Sequence, residues 1–169
     1  MKILSLRLGS ARTKRTAADS KRISSIDLAL AENEKIATLP DIYYFSMACS
    51  CTEKQPDGTQ RPIPAKTEFL YYARSLQMGE YTGVTPGGFV IDESWQENDG
   101  LVNTVSARAP IGAMQKQFDP DNIEKGIWNV LPDYPGDHMS VQGGLFHRVD
   151  MRAFYLSFLH MIRSLPEKC

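Results

Sequence analysis

The chain has 169 residues, of which 42% are hydrophobic, and this is enough to bury the core of one domain. A formal net charge of −1 with 23% charged residues excludes the large field of one sign that would attract nucleic acid or an acidic partner. Three cysteines, Cys49, Cys51 and Cys169, are an odd number and lack the Cys-x-x-Cys spacing, so we expect neither a disulfide framework nor a cysteine metal site.

The N-terminal segment is basic, because seven Lys and Arg residues stand against the single acid Asp19 in the first 25 positions. The segment has no aromatic residue that would stack on a base, so we favour a solvated, poorly packed terminus over a nucleic-acid-binding arm. No apolar run reaches the roughly 20 residues of a membrane helix, and the apolar residues after Lys2 are too interrupted for a signal peptide. From this pattern alone we expect a chain that is neither inserted in a membrane nor exported.

Residues 42–48 are a continuous apolar and aromatic run, which predicts a strand buried on both faces. Residues 53–64 contain three prolines and an Asp-Gly pair, which predict an exposed loop without regular structure that leaves the sheet. From Ala65 to about Gln77, apolar residues at helical spacing predict a short amphipathic helix that stops at Gly79.

A turn at residues 86–88 precedes Glu97-Asn98-Asp99-Gly100, and the β-branched residues 101–106 then predict an extended segment. A second extended segment, residues 126–131, leads through the proline-rich and glycine-rich residues 132–137 to His138. Asp99 should therefore lie beside a turn, and His138 on a loop just beyond a strand. Catalytic groups of α/β enzymes commonly occupy such loops.

The last pattern is the most regular, with apolar residues at i, i+3 and i+4 intervals between Met151 and Leu165. It predicts an amphipathic helix with Asp150 as N-cap and Pro166 as terminator. Strands, an excursion, two polar loops and a closing helix together predict an α/β fold, namely the final section of a sheet with a crossover on each side.

Asp99 and His138 are the candidate catalytic residues. An imidazole serves as a base near neutral pH when a carboxylate binds its Nδ1 and fixes its tautomer. The order of acid before histidine also matches hydrolases in which the nucleophile comes first. Each residue alone fits a plainer interpretation, because Asn-Asp-Gly is a common turn and an Asp-His pair on a loop often faces solvent. His160 on the closing helix and His147 beside Arg148 are expected to be surface residues.

Four segments in the same order resemble secreted bacterial triacylglycerol lipases of the thermophilic Bacillus and staphylococcal type. Residues 95–106 are similar to the segment that carries the family's triad aspartate, and Lys125-Gly126-Ile127-Trp128-Asn129 resembles its Lys-Gly-Val-Trp-Asn strand. Asp137-His138-Met139 resembles the histidine loop, and residues 150–155 the final helix. Residues 27–30 and 40–46 resemble the family's strand before its long excursion.

The resemblance extends over about residues 20 to 165, so we divide the chain into a basic N-terminus, residues 1–19, and a lipase-like domain, residues 20–169. It implies a partial α/β-hydrolase fold with the C-terminal strands and helices and without the half that carries the nucleophile. It also implies that Asp99 orients His138, which would deprotonate a serine. None of the serines in the chain has the Gly-x-Ser-x-Gly context of that nucleophile.

The resemblance further implies a calcium ion held by carboxylates just after the histidine, and a zinc ion held mostly by upstream residues. No acid occurs between Asp137 and Asp150, so we expect the calcium site to be lost and the zinc site to be incomplete. We therefore expect no metal ligands and no cofactor.

Two functions remain open at this point. The chain is either the C-terminal portion of a triacylglycerol lipase, inactive without an N-terminal half that supplies the serine, or a degenerate, non-catalytic module that binds lipid or protein. Both predict an exposed strand edge and apolar face, and hence partner binding or self-association. The family is secreted, whereas the lack of a signal pattern predicts a cytoplasmic or unknown location.

Overall fold

The structure is a computed structural model that describes residues 25–146 and 148–166. Within these ranges four α-helices alternate with short strands. The helices are α1 (Ser25–Asn33), α2 (Phe69–Glu80), α3 (Thr104–Arg108) and α4 (Arg152–Ser164). The strands are β1 (Tyr44–Ser46), β2 (Thr52–Lys54), β3 (Gln60–Pro62), β4 (Gly83–Val84), β5 (Val90–Ile91), β6 (Gln115–Gln117) and β7 (Trp128–Val130).

The central sheet has three parallel strands in the order β1-β7-β6. Tyr44 of β1 and Gln115 of β6 both lie opposite Trp128 of β7, so the three strands are in register. Parallel strands need crossover connections, and the chain provides them through the long segments between β1 and β6 and between β6 and β7. The predicted α/β class is confirmed.

Strand β1 lies inside the predicted residues 42–48, and β7 lies inside the predicted residues 126–131. The predicted burial of β1 on both faces is wrong, because its three residues are half-buried. Phe45 packs edge-on against Phe158 of α4, with ring centroids 5.4 Å apart. Helix α4 thus contributes to covering one face of the sheet, and β1 lies at an edge of the described strands.

Residues 53–64 were expected to be irregular, and this is wrong, because β2 and β3 form an antiparallel hairpin. The turn between them uses the Pro-Asp-Gly that suggested a loop: Gly58 has φ +91°, and the backbone N of Gln55 donates to Thr59 O at 2.8 Å. Pro62 is tolerated at the end of β3, in a hairpin of only two strands. As predicted, the segment leaves the main sheet.

Helix α2 begins four residues later than predicted and continues through Gly79. The buried Gly79 lies against the backbone of Gln60, and a Cβ at this position would come within 1.9 Å of Gln60 O. Close packing of β3 on the helix, not the need for a terminator, therefore explains this glycine.

The predicted extended segment at residues 101–106 is also wrong, because the chain turns at Asp99 and then forms α3. The backbone N of Asp99 donates to Val102 O at 3.0 Å within that turn, and the buried Thr104 donates its hydroxyl to Cys49 O at 3.2 Å. The local turn and the contact with Cys49 override the extended preference of β-branched residues. Residues 27–30, which resemble a family strand, lie in helix α1.

Helix α4 confirms the closing helix, although Met151 is its N-cap and Asp150 stands one residue earlier. Asp150 still accepts a hydrogen bond from the backbone N of Arg152 at 3.0 Å. No residue of α4 is fully buried, and Leu156 and Leu159 are 59% and 53% exposed. The residues between β7 and α4, 131–151, are called the histidine loop below.

A small apolar core lies where α1 meets the segment around β5: Ile26, Ile91 and Trp95 are buried together. Cys49 and Cys51 are buried free thiols. Within the described ranges, no helix is both long and apolar enough to cross a bilayer. The predictions for residues 1–19, His147 and Cys169 fall outside the described residues.

Candidate active site

Asp99 lies in a tight turn, and its carboxyl group binds the backbone of that turn. Its Oδ1 accepts hydrogen bonds from the backbone N of Leu101 at 2.9 Å and of Val102 at 2.7 Å. Gly100, between Asp99 and Leu101, has φ +89°, a conformation that favours glycine. Asp99 is only 4% exposed. Its own turn binds Oδ1, which leaves Oδ2 available to another donor.

That second oxygen meets His138. The distance between Asp99 Oδ2 and His138 Nδ1 is 2.8 Å, and the backbone N of His138 donates to Asp99 O at 2.9 Å. The structure therefore brings the two predicted residues together through both side chain and backbone. An Nδ1–H that donates to Asp99 leaves Nε2 as the acceptor nitrogen of the neutral ring.

The hydrogen bond that His138 donates to Asp99 raises the pKa of His138 above its ordinary value. Burial of the ring opposes this shift, and the charges of Asp99 and Asp137 add to it. The thiol of Cys49 lies nearby. Its burial, followed by the charges of Asp99 and Asp137, raises its pKa to about 12. Cys49 is thus a protonated thiol at neutral pH and a poor nucleophile.

A cavity of about 430 Å³ adjoins the pair. His138 and Asp99 line it together with side chains of β1, α1 and α4, most of them apolar, including Leu30, Phe45, Phe154 and Phe158. An apolar cavity with a few polar groups at its wall is the usual form of a small-molecule binding site.

Two polar residues that support the pair were not identified from the sequence. Asn98 is fully buried, and its side chain binds Ser75 O, Gln96 O and the backbone N of Gly100, which fixes the turn of Asp99. Asp137 is 1% exposed and binds the backbone around His138. Each directly precedes a candidate residue in the sequence, and this position was the available signal for a supporting role. Hydrogen bonds to distant backbone groups cannot be predicted from a single sequence. His160 is exposed, as predicted.

The residues near His138 do not fit the calcium site that the resemblance implies. Between His138 and Val149 the described residues include no acid, and the hydroxyl of Ser140 donates to Asp137. The nearby Glu68 carboxyl group accepts backbone N–H groups of Leu145 and Phe146. In the described part of the chain, no three His, Cys, Asp or Glu residues are grouped as a metal site would require. Loss of the calcium site stays a prediction.

Comparison with known proteins gives the chain its relatives. No protein-family model matches it. Lipase 1 of Staphylococcus aureus is 27% identical over 112 residues, and the lipase of Staphylococcus hyicus is 29% identical over 116 residues; each alignment covers 66% of this chain. The chain is homologous to the staphylococcal lipases.

Solved structures agree with this relationship. EstA from Clostridium botulinum superimposes with a TM-score of 0.77 at 25% identity over 86% of this chain, and lipase 1 from Pelosinus fermentans with a TM-score of 0.67 at 27% identity over 85%. The Staphylococcus hyicus lipase shares the fold, with a TM-score of 0.65 at 23% identity.

The chain corresponds to only a part of each relative. The aligned segments make up 15% and 16% of the two staphylococcal sequences, and the structural matches cover 34% to 38% of the three solved chains. The described helices and sheet are thus a lipase-related C-terminal portion.

Proposed function

We propose that the chain is the C-terminal portion of a triacylglycerol lipase, a carboxylic ester hydrolase, and that it carries the acid Asp99 and the base His138 of a Ser-Asp-His triad. The observation that carries this proposal is the 2.8 Å contact between Asp99 Oδ2 and His138 Nδ1 beside an apolar cavity. The chain has no Gly-x-Ser-x-Gly segment, so in this proposal an N-terminal lipase half supplies the serine.

In the completed site, His138 Nε2 takes the proton of the serine as its Oγ attacks the ester carbonyl carbon. The tetrahedral intermediate collapses, the ester C–O bond breaks, and the departing alcohol oxygen receives the proton from His138. Water then repeats both steps on the acyl-serine, which releases the fatty acid and restores the serine. Throughout, Asp99 holds the ring by Nδ1 and stabilises the imidazolium.

Alone, the chain is expected to be inactive. A triad without its nucleophile retains only the catalysis of the oxyanion hole and of substrate binding, and the donors of that hole belong to the missing half. The purified chain should hydrolyse a nitrophenyl butyrate no faster than its His138→Ala variant. Turnover by the chain alone that a serine-directed phosphonate abolishes would contradict the proposal.

The completing half can be sought directly. The DNA upstream of the Met1 codon should encode a Gly-x-Ser-x-Gly segment, and the product of that DNA, added as a separate chain or joined in one polypeptide, should restore phosphonate-sensitive hydrolysis. Asp99→Asn and His138→Ala in this chain should each remove the restored activity. An upstream region without such a segment would favour the second candidate.

The second candidate is a non-catalytic module on a lipase-derived scaffold, and the apolar cavity of about 430 Å³ favours lipid as its ligand. Trp128 lines the cavity and provides a probe. A brominated fatty acid that enters should quench Trp128 fluorescence saturably, and Trp128→Phe should lose this component while the signal of Trp95 remains. Absence of saturable quenching would remove the lipid-binding function.

A further inference from the structure

Asp137, immediately before His138, is a buried carboxyl group that binds two separate elements. Its Oδ1 accepts hydrogen bonds from the backbone N of Met139 and of Ser140, each at 3.1 Å, and from the Ser140 hydroxyl at 3.0 Å. Its Oδ2 accepts a hydrogen bond from the backbone N of Glu68 at 2.7 Å. The group that shapes the turn at His138 therefore also binds the N-cap residue of α2.

Glu68 makes the reciprocal connection with its own side chain, which is also buried. Its Oε1 accepts hydrogen bonds from the backbone N of Leu145 and of Phe146, the latter at 2.6 Å. Beside it, the rings of Phe69 and Phe146 pack with centroids 5.0 Å apart. Glu68 thus contacts the histidine loop on both sides of His138.

The physical need for these contacts comes from the irregular backbone of the loop. Apart from one 3₁₀ turn, Ser140–Gln142, and an isolated bridge of Tyr134 with Cys49, the described residues of the loop have no regular structure. Carboxyl groups accept several of their N–H groups, those of Met139, Leu145 and Phe146 among them. One carboxyl oxygen can accept more than one N–H group. A loop fixed at two points by such bonds leaves the residue between them few conformations.

We propose that Glu68 and Asp137 are positioning residues, which tie the histidine loop to the start of α2 on both sides of His138 and so hold its ring against Asp99. We call this pair the Glu68–Asp137 clamp. Its importance for turnover rests on the proposed function, whereas its effect on the loop and on the His138 ring does not.

The test uses nuclear magnetic resonance on the 169-residue chain. Glu68→Ala should speed amide hydrogen exchange at Leu145 and Phe146 by at least about tenfold, because a buried acceptor is removed. The imidazole pKa of His138 should fall towards its ordinary value of about 6.5, because the ring occupies its hydrogen bond to Asp99 less of the time. A role in overall stability alone would not move that pKa while the chain stays folded.

Two conservative variants separate the clamp from simple loss of packing. Glu68→Gln keeps a carbonyl oxygen that can accept both N–H groups, so it should restore most of the protection and of the His138 pKa. Asp137→Asn replaces one acceptor oxygen with an NH₂ group and should expose the amide of Glu68 to exchange. Glu80→Ala, at the exposed opposite end of the same helix, is the matched control and should change neither measurement.

Two results would overturn the clamp. One is an unchanged His138 pKa and unchanged exchange at Leu145 and Phe146 in Glu68→Ala. The other is faster exchange spread evenly over β7 and α4 as well, which would make Glu68 a general stabiliser.

In a completed lipase, Glu68→Ala should lower kcat about tenfold with KM unchanged. If the wild-type chain gives no completed lipase, the proposed function fails, and the resonance data still decide the clamp.

Discussion

The Asp99 carboxyl group divides its two oxygens between the backbone of its own turn and the ring of His138. The bonds to the turn fix the plane of the carboxyl group independently of His138, so the imidazole ring binds a rigid acceptor. Such pre-organisation distinguishes a triad acid from a surface Asp-His pair, in which both side chains move freely. The two residues and their contact could be proposed from the sequence, but the burial of Asp99 and the backbone bonds of its turn could not.

The pKa of His138 gives a pH-dependent prediction for the isolated chain. A folded-state pKa above the unfolded one contributes stability at pH values below the unfolded pKa, about 6.5, and this contribution is lost as the pH rises through the folded pKa. Asp99→Asn removes the main cause of the shift. Its destabilisation in urea unfolding should therefore be larger at pH 5.5 than at pH 9, and equal effects at both would contradict the hydrogen bond.

In the completed lipase, Asp99→Asn should lower kcat by about 10⁴, because an amide cannot hold the tautomer that leaves Nε2 as the proton acceptor. Initial rates on a nitrophenyl ester would measure this change. Asp121→Asn, at an exposed position, serves as the control. A kcat for Asp99→Asn equal to that of the control would remove Asp99 from the mechanism.

At the scale of elements, the errors of the sequence analysis have different causes. The hairpin of β2 and β3 forms around the local turn at Gly58. The start of α2 and the conformation of residues 101–106 involve contacts with distant residues, namely Glu68 with Asp137 and Thr104 with Cys49. Strand β6, Gln115–Gln117, has no apolar alternation and pairs only because β7 lies beside it. By contrast, β1, β7 and α4 were predicted, because their apolar patterns are local and strong.

The contact between α2 and β3 yields a prediction on stability. Gly79→Ala would improve helix propensity by about 1 kcal/mol, yet its Cβ would lie within 1.9 Å of Gln60 O. Overpacking against backbone costs about 1–3 kcal/mol, so the variant should be less stable in urea unfolding. Gln77→Ala, exposed on the same helix, should change little. A stabilised Gly79→Ala would show that β3 does not pack on this helix.

At the scale of the whole molecule, the exposed apolar side chains of α4 predict self-association. Leu156→Lys with Leu159→Lys should lower the weight-average mass in sedimentation equilibrium, because charges replace an apolar face. Ser157→Lys with His160→Lys adds the same charge at two other exposed positions of the helix and should have less effect. Equal masses for the two double variants would show that this face is not used.

The expected loss of the calcium site can be tested on the stability of the whole folded chain. Calcium chloride at millimolar concentration should leave Tm unchanged relative to potassium chloride of equal ionic strength, because ligand binding to the folded state alone would raise it. Scanning calorimetry with a chelator as the reference measures this. A rise in Tm specific to calcium would contradict the expected loss of the calcium site.

The sequence by itself determined the α/β class, the closing helix, the relationship to lipases and the pair Asp99 and His138. Periodicity and short motifs are local, and local information is what one sequence contains. Only the tertiary structure decided that the pair is in contact, that Asn98 fixes the acid turn, and that Glu68 and Asp137 bind the histidine loop to α2. Except for the bond from the Gly100 N–H group to Asn98, these bonds join residues far apart in the chain. Their partners are therefore set by packing of the fold rather than by any neighbouring residue.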